Sequence, residues 1–158
     1  MGQFQGMFAI GHTLRELERS KNRVVFEEIP SRLTVSSFGC LTILALALCL
    51  QRPTALWCVI PFAGLTLYAS VQSTFIADRS AGTLTVRRRI LFWSILRTYD
   101  QTAIARITVQ HTQKGGGLLM TSKSRRKKML TMSIGRDISA LESAAVALNS
   151  VLHSHKPV

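Results

Sequence analysis

A run of five cations within seven residues is the clearest binding feature of this sequence. The run comprises Lys123, Arg125, Arg126, Lys127 and Lys128. Each Lys or Arg near an anionic membrane contributes about 1 kcal/mol, so this basic loop (residues 122–128) is expected to bind lipid head groups or an acidic protein face. A solvated loop without any partner is an equally simple interpretation. Nucleic acid is a less favoured partner, because the same chain carries long apolar segments.

A second group of cations, Arg87, Arg88 and Arg89, follows shortly after the apolar region. Successive side chains of a strand point to opposite faces, so Arg87 and Arg89 should share one face and Arg88 should lie on the other. We include these three arginines among the candidate residues for binding anionic lipid or a partner. The simpler interpretation is that they are the flanking cations that orient a membrane segment.

No set of residues in the sequence predicts catalysis or a bound metal. Asp78 and Asp100 are the only carboxylates in the middle of the chain, and neither has an adjacent histidine. The histidines are scattered, whereas zinc needs three or four ligands. Residues 115–117 are three glycines, but they lack the Lys-Ser/Thr ending of a phosphate loop and predict a flexible loop. We therefore expect a non-enzymatic protein without cofactors.

The elements that would hold these cations begin with two apolar runs. Residues 33–50 carry no charge and would reach about 27 Å as a helix, close to the hydrocarbon thickness of roughly 30 Å. Residues 54–71 form a second run, and Arg52 and Pro53 lie in the turn between them. The sequence thus predicts a transmembrane hairpin over residues 33–73. The three cysteines fall inside it and are expected to be packing residues.

The orientation of this hairpin follows from its flanking charges. The chain has a net charge of +12, from 20 Lys and Arg against 8 Asp and Glu, and most of the excess lies after residue 78. The positive-inside rule then places both termini in the cytoplasm. We expect an integral membrane protein with a cytoplasmic segment over residues 1–32 and a basic cytoplasmic domain over residues 74–158.

The C-terminal part predicts an α+β domain. Short segments that alternate, or are rich in aromatic and branched residues, predict strands over residues 83–89, 93–99, 104–111, 118–121 and 129–134. Ser139 and Glu142 have the spacing of a capping box, so a helix should begin there. Its apolar stripe is formed by Leu141, Ala145, Leu148 and Leu152. An antiparallel sheet covered by this helix would bury the stripe.

Near the N-terminus, Thr13 and Glu16 predict a short polar helix by the same spacing.

The order of these parts resembles the membrane-anchored bacterial pleckstrin-homology-like (PH-like) modules. The matching residues are Phe75, Asp78 and Arg79, then a turn and a basic strand, and later the strand Ile104, Ile107, Val109. The layout is also similar to that of the chloroplast-encoded photosystem I assembly proteins. The resemblance implies a PH-like fold and a non-enzymatic binding or assembly module.

Two functions remain open from the sequence. The first is a scaffold or assembly factor for a membrane protein complex, with membrane lipids and other membrane proteins as partners. The second is a lipid-responsive regulatory module that binds anionic head groups through the basic loop. An enzyme that acts on lipid is disfavoured, because no nucleophile, base and orienting group can be assembled.

Overall fold

The chain forms two antiparallel sheets and three helices in a computed structural model that describes residues 12–51, 56–112, 115–131 and 137–153. The elements are β1 (His12–Arg19), β2 (Arg23–Pro30), α1 (Arg32–Gln51), α2 (Leu56–Ala69), β3 (Gln72–Asp78), β4 (Thr83–Ile90), β5 (Trp93–Asp100), β6 (Ile104–Thr112), β7 (Gly115–Ser122), β8 (Lys127–Met129) and α3 (Ile138–His153). A 3₁₀ turn, Gln101–Ala103, joins β5 to β6.

The first sheet consists of five strands in the order β1-β2-β3-β4-β5, each antiparallel to its neighbour. Chain order and spatial order are the same, but α1 and α2 are inserted between β2 and β3. We call α1 and α2 the helical pair. Glu28 of β2 lies opposite Ser73 of β3, so the chain leaves the sheet and returns to it at the same end.

The second sheet consists of β6, β7 and β8, also antiparallel. The helix α3 packs mainly on β6 and β7 and also reaches β1, β2 and β3. The core lies between these elements and includes Phe75, Leu84, Ile107 and Leu118. The four residues of the predicted stripe on α3 are all buried in this core, which confirms that face of the helix.

Side chains from two elements fasten α3 to the rest of the domain. Asn149 accepts from Ile107 N–H at 2.9 Å and donates to Ile107 O at 2.6 Å. The Gln101 side chain donates to Leu152 O near the end of α3. These contacts join the helix to the edge of β6 and to the 3₁₀ turn, so the second sheet and α3 act as one cover over the first sheet.

The prediction of a two-helix transmembrane hairpin is wrong. Among the described residues, only α1 is long and apolar enough to cross a membrane. The helix α2 has 14 residues, contains Pro61 and would extend about 21 Å, which is shorter than a bilayer core of roughly 30 Å. The apolar run ends before Gln72 because β3 begins there. The predicted turn residues Arg52 and Pro53 lie outside the described residues.

Several local predictions also need correction. The polar segment after Thr13 is not a helix but the strand β1, because it pairs with β2. The three glycines of residues 115–117 begin β7 instead of forming a loop. The last strand lies at Lys127–Met129 and not at residues 129–134, of which 132–134 are outside the described part. The other three strands predicted in the C-terminal part were placed within two residues of β4, β5 and β6.

Candidate membrane and partner surfaces

The helical pair presents apolar side chains outward in most directions. On α1, Leu33, Ile43 and Leu50 are 79%, 68% and 90% exposed, and on α2 Trp57 is 80% exposed. Only 11% of the most apolar part of α1 is buried within the protein. Soluble proteins usually expose apolar residues singly, so an apolar surface of this extent is typical of a site that contacts a membrane or another protein.

The contact between the two helices combines apolar and polar side chains. Phe38 and Ala45 of α1 are buried, and the hydroxyls of Thr42 and Thr66 lie 3.0 Å apart. An added Cβ at Gly39 or Gly64 would meet nothing within 4 Å. The glycines therefore do not mediate the close approach that small residues allow in other helix pairs, and the threonine pair provides a polar contact between the helices.

The first sheet has two ends with different surroundings, which the strand registers define. The helical end contains Pro30, where β2 stops, and Gln72, where β3 starts, and Arg89 of β4 lies opposite Gln72. The distal end contains the opposite termini, including Asp78 and Thr83, which also face each other. The seven residues of β3 separate the two ends by roughly 20 Å.

The three arginines of β4 lie near the helical end but have different environments. Arg87 and Arg89 are exposed on the outer face of the sheet, opposite Leu96 and Ser94. Arg88 points inward, as the alternation predicted, and its guanidinium donates to Leu130 O at 2.9 Å. Arg87 and Arg89 are thus exposed where an anion can reach them, whereas Arg88 connects the first sheet to the segment after β8.

A row of buried polar residues crosses the inner face beside Arg88, and the sequence patterns did not indicate it. Glu28, Ser73 and Arg88 lie opposite one another on β2, β3 and β4, and Glu28 and Ser73 are 2% and 0% exposed. His12 is also buried and contacts Val71 O through Nε2 at 3.3 Å. Such residues are usually exposed, and only the strand pairing shows that they share the inner face of the sheet.

The basic loop lies at the distal end, away from the β4 arginines. Lys123 N donates to Ala103 O at 2.9 Å, and the charge of Lys123 acts on Asp100 at the end of β5. Lys123, Arg125, Arg126 and Lys127 are exposed. Lys128 differs, because its ammonium lies 5.0 Å from the centre of the Tyr99 ring. The predicted site residues therefore form two separate groups, not one patch.

Hydrogen bonds between turns hold the distal end together. Arg79 N donates to Asn22 O at 2.8 Å, and Gln101 N donates to Gly82 O at 2.8 Å. Each link joins neighbouring connections of the first sheet, and Lys123 continues the series to the second sheet. The loop cations are thus mounted on a braced set of turns.

The carboxylates at these turns have structural roles. Hydrogen bonds from the Ser80 hydroxyl and the Ala81 N–H hold the pKa of Asp78 below its usual value. Thr102 lowers the pKa of Asp100 in the same way, with a smaller contribution from the charge of Lys123. Both side chains are ionised at neutral pH and act as turn caps. Neither is placed as a general acid.

A groove of about 790 Å³ opens at the distal end between the β1–β2 turn and α3. Arg19, Lys21 and Arg79 contribute positive charge to its walls, and Glu142 contributes one carboxylate. Val146, 69% exposed, adds an apolar part. The groove and the basic loop make the distal end predominantly cationic, which suits an acidic partner.

Within the described part of the chain, no group of three or more His, Cys, Asp or Glu side chains is arranged to hold a metal ion. His111 and Glu142 approach to 3.8 Å as an exposed pair. Cys40 and Cys49 are free thiols on α1.

Neither a protein-family model nor a curated protein sequence matches this chain.

Proposed function

We propose that this protein is a non-enzymatic scaffold or assembly factor of a membrane protein complex. The outward apolar side chains of its helical pair attach it to the membrane, and its two-sheet domain presents the cationic distal end to an acidic partner. The observation that carries the proposal is the placement of an outward-apolar helical pair at one end of a sheet whose other end is basic. The resemblance to membrane-anchored PH-like modules points in the same direction.

The pairing of β2 with β3 constrains how the helical pair meets the membrane. Both ends of the pair are held in one sheet by the register from Arg23–Asp78 to Glu28–Ser73. The helical pair therefore meets the membrane from the side on which both sheets lie. Since most of the cations belong to the sheets, this side is the cytoplasm under the positive-inside rule.

The distance between the two ends of the first sheet favours a protein partner for the basic loop. With the helical end at the membrane, the loop lies roughly 20 Å away along the strands. The Debye length at physiological ionic strength is about 8 Å, so attraction to lipids of the same membrane is largely screened at that distance. An acidic protein surface can approach the loop directly from the cytoplasm, so its attraction to the loop is not screened in this way.

A lipid-responsive module is the second candidate, because four exposed cations on one turn would bind anionic lipid if the domain leaned over. The two candidates differ in where the basic loop lies. A Ser124→Cys variant reports this, because Ser124 is an exposed member of the loop. If the loop rests on lipid, a water-soluble maleimide should label the introduced thiol more slowly in anionic than in zwitterionic liposomes. The scaffold proposal expects equal rates.

The test of the proposal itself starts with alkaline extraction of native membranes. A protein released into the soluble fraction would refute insertion of the helical pair. The protein is then purified from the membrane fraction in mild detergent, and the proteins that accompany it are identified by mass spectrometry. We expect one near-stoichiometric partner, which is lost from a variant with Lys123, Arg126 and Lys127 changed to Gln. The matched control changes Arg87 and Arg89 to Gln and should retain the partner. Recovery of the protein alone would refute the scaffold function.

A further inference from the structure

The turn between β4 and β5 carries three large apolar side chains that the fold leaves uncovered. Leu91, Phe92 and Trp93 are 52%, 94% and 80% exposed, and we call them the tip. Ile90 and Trp93 face each other and close the turn. Folding of the domain gains almost nothing from Phe92, since this side chain makes so little contact with the protein.

The backbone of the tip is also unusual for a residue with a side chain. Leu91 has φ +49°, in the left-handed region where two-residue hairpin turns prefer Gly, Asn or Asp. Leucine at this position holds an apolar group outward at a conformational cost. A role for the Leu91 side chain outside the folded domain explains both why leucine occupies this position and why it is exposed.

The tip lies at the helical end of the first sheet. Arg89, two residues before Leu91, faces Gln72, which comes three residues after the last residue of α2. The outer face next to the tip carries Arg87 and Arg89, and the Arg89 Nε donates to Leu91 O at 3.3 Å. Tryptophan and arginine next to fully apolar side chains form the composition of a membrane–water interface.

We propose that the tip inserts into the interface of the same bilayer that holds the helical pair, with Arg87 and Arg89 on the phosphates of anionic lipids. This inference rests on the proposed membrane insertion of the helical pair. The occupant is a lipid surface because the tip lies at the same end of the first sheet as the apolar helical pair and its flanking charges complement anionic head groups. Two attachments, the helical pair and the tip, then fix the tilt of the first sheet on the membrane.

The two tryptophans allow both attachments to be measured separately in the full chain. A Trp57→Phe variant leaves Trp93 as a reporter of the tip, and a Trp93→Phe variant leaves Trp57 as a reporter of α2. Each variant is reconstituted into liposomes that contain anionic lipid and phospholipids brominated near the top of the acyl chains. We expect quenching of Trp93 by the brominated lipid, and stronger quenching with anionic than with purely zwitterionic lipid.

The outcomes separate the two proposals. Quenching of Trp57 by bromines at any depth, with Trp93 unquenched, would overturn the tip inference and leave insertion of the helical pair intact. Absence of quenching at both positions would overturn both. If a partner protein covers the tip instead, Trp93 stays unquenched in liposomes of the purified chain, which also overturns the inference.

Substitution at the tip provides a second measurement that does not depend on tryptophan alone. In the Trp57→Phe background, Phe92→Ser should lower the equilibrium constant for docking of the tip on the membrane roughly tenfold or more. The reason is that the phenylalanine side chain is no longer transferred from water into lipid. The fold should be unaffected, since Phe92 has few contacts in the domain. Val146→Ser on α3 removes an exposed apolar side chain far from the tip and should leave Trp93 quenching unchanged. Equal quenching in the two variants would contradict the proposal.

Discussion

Asn149 gives the sharpest test of how α3 is held on the sheets. Its side chain bonds both the N–H and the C=O of Ile107, a residue that is 1% exposed on β6. These two groups of Ile107 point away from β7 and would otherwise lack a partner at the strand edge. An Asn149→Ala variant removes both hydrogen bonds at once.

The expected loss of unfolding free energy is estimated from the two hydrogen bonds. Each hydrogen bond contributes about 0.5–1.5 kcal/mol, and a buried polar group left without a partner costs about 1–3 kcal/mol. Some water can reach this half-buried side chain, so we expect Asn149→Ala to lower the free energy of unfolding by about 2–4 kcal/mol. With a urea dependence of about 1–3 kcal/mol/M, the midpoint should fall by roughly 1–2 M.

The assay is urea unfolding of the full chain in mild detergent, followed by far-UV circular dichroism. Ser150→Ala is the matched control, because the Ser150 hydroxyl only donates to Ala147 O within the same helix. This control should change the free energy by less than about 0.5 kcal/mol. If Asn149→Ala behaved like the control, the attachment of α3 through Ile107 would be refuted.

An Asn149→Asp variant adds a signature that depends on pH. The carboxylate still accepts from Ile107 N–H, but it repels the carbonyl oxygen that the amide had bonded. Folding thus favours the protonated acid and raises the pKa of this side chain above its unfolded value. The stability of the variant should be highest at low pH and should fall as the pH rises through the folded-state pKa. A pH-independent difference from Asn149 would contradict the bonding to both groups.

Three further predictions concern other parts of the chain. Gly116→Ala should lower the free energy of unfolding by about 1–3 kcal/mol, because the new Cβ would lie 3.3 Å from Leu141 Cδ1 in the core; an unchanged urea midpoint would contradict this contact. Thr66→Val should weaken the helical pair by about 0.5–1.5 kcal/mol through loss of the Thr42 hydroxyl contact, and a matched Ser37→Ala variant should not; disulfide crosslinking of cysteines placed across the pair measures this. Hydrogen bonds from Ala140 N–H and then from the Ser139 hydroxyl lower the pKa of Asp137, so the stability from this cap is present above its ordinary value of 3.8 and is lost as the pH falls. The difference in thermal midpoint between the native chain and Asp137→Asn should therefore shrink in acid, and a constant difference would argue against the cap.

Elements that local pattern determines were predicted well. The charge-free run predicted α1 to within one residue at each end, and the periodic stripe with Leu141 and Leu148 predicted the buried face of α3. Alternation predicted β4, and a run rich in aromatic and branched residues predicted β5. In each case the signal lies within one element, where side-chain period and backbone geometry are directly linked.

Elements that depend on pairing were missed. The segment that forms β1 has four Glu and Arg residues and its spacing predicts a polar helix, but β2 supplies a partner whose ladder outweighs this local helix propensity. The partner of β2 lies beyond the helical pair, and no local pattern reports that Val25 faces Ile76. The same pairing brought Glu28, Ser73 and Arg88 together, so the buried polar row was also beyond prediction.

The candidate site was predicted by residue type but not by position. The cations of the basic loop and of β4 were identified, yet their separation to opposite ends depends on the registers of two sheets. Alternation placed Arg87 and Arg89 on one face and Arg88 on the other, while the bond from Arg88 to Leu130 O joins residues 42 positions apart. The α3 cap at Asp137 was displaced from the predicted Ser139, since both side chains fit the same preference at a helix N-terminus.

The insertion of α1 and α2 between paired strands has a consequence for synthesis of the chain. At about 5–20 residues per second, β3 leaves the ribosome roughly 2–8 s after β2. During that interval β1 and β2 form at most an isolated hairpin, which is marginally stable in water. The helical pair emerges after β2 but before β3 and, on the membrane proposal, must be delivered to the bilayer before the first sheet can close around its two ends. Membrane insertion and folding are then ordered in time. A ribosome paused near residue 70 would leave β2 without its partner β3, so that chaperones and proteases could reach it.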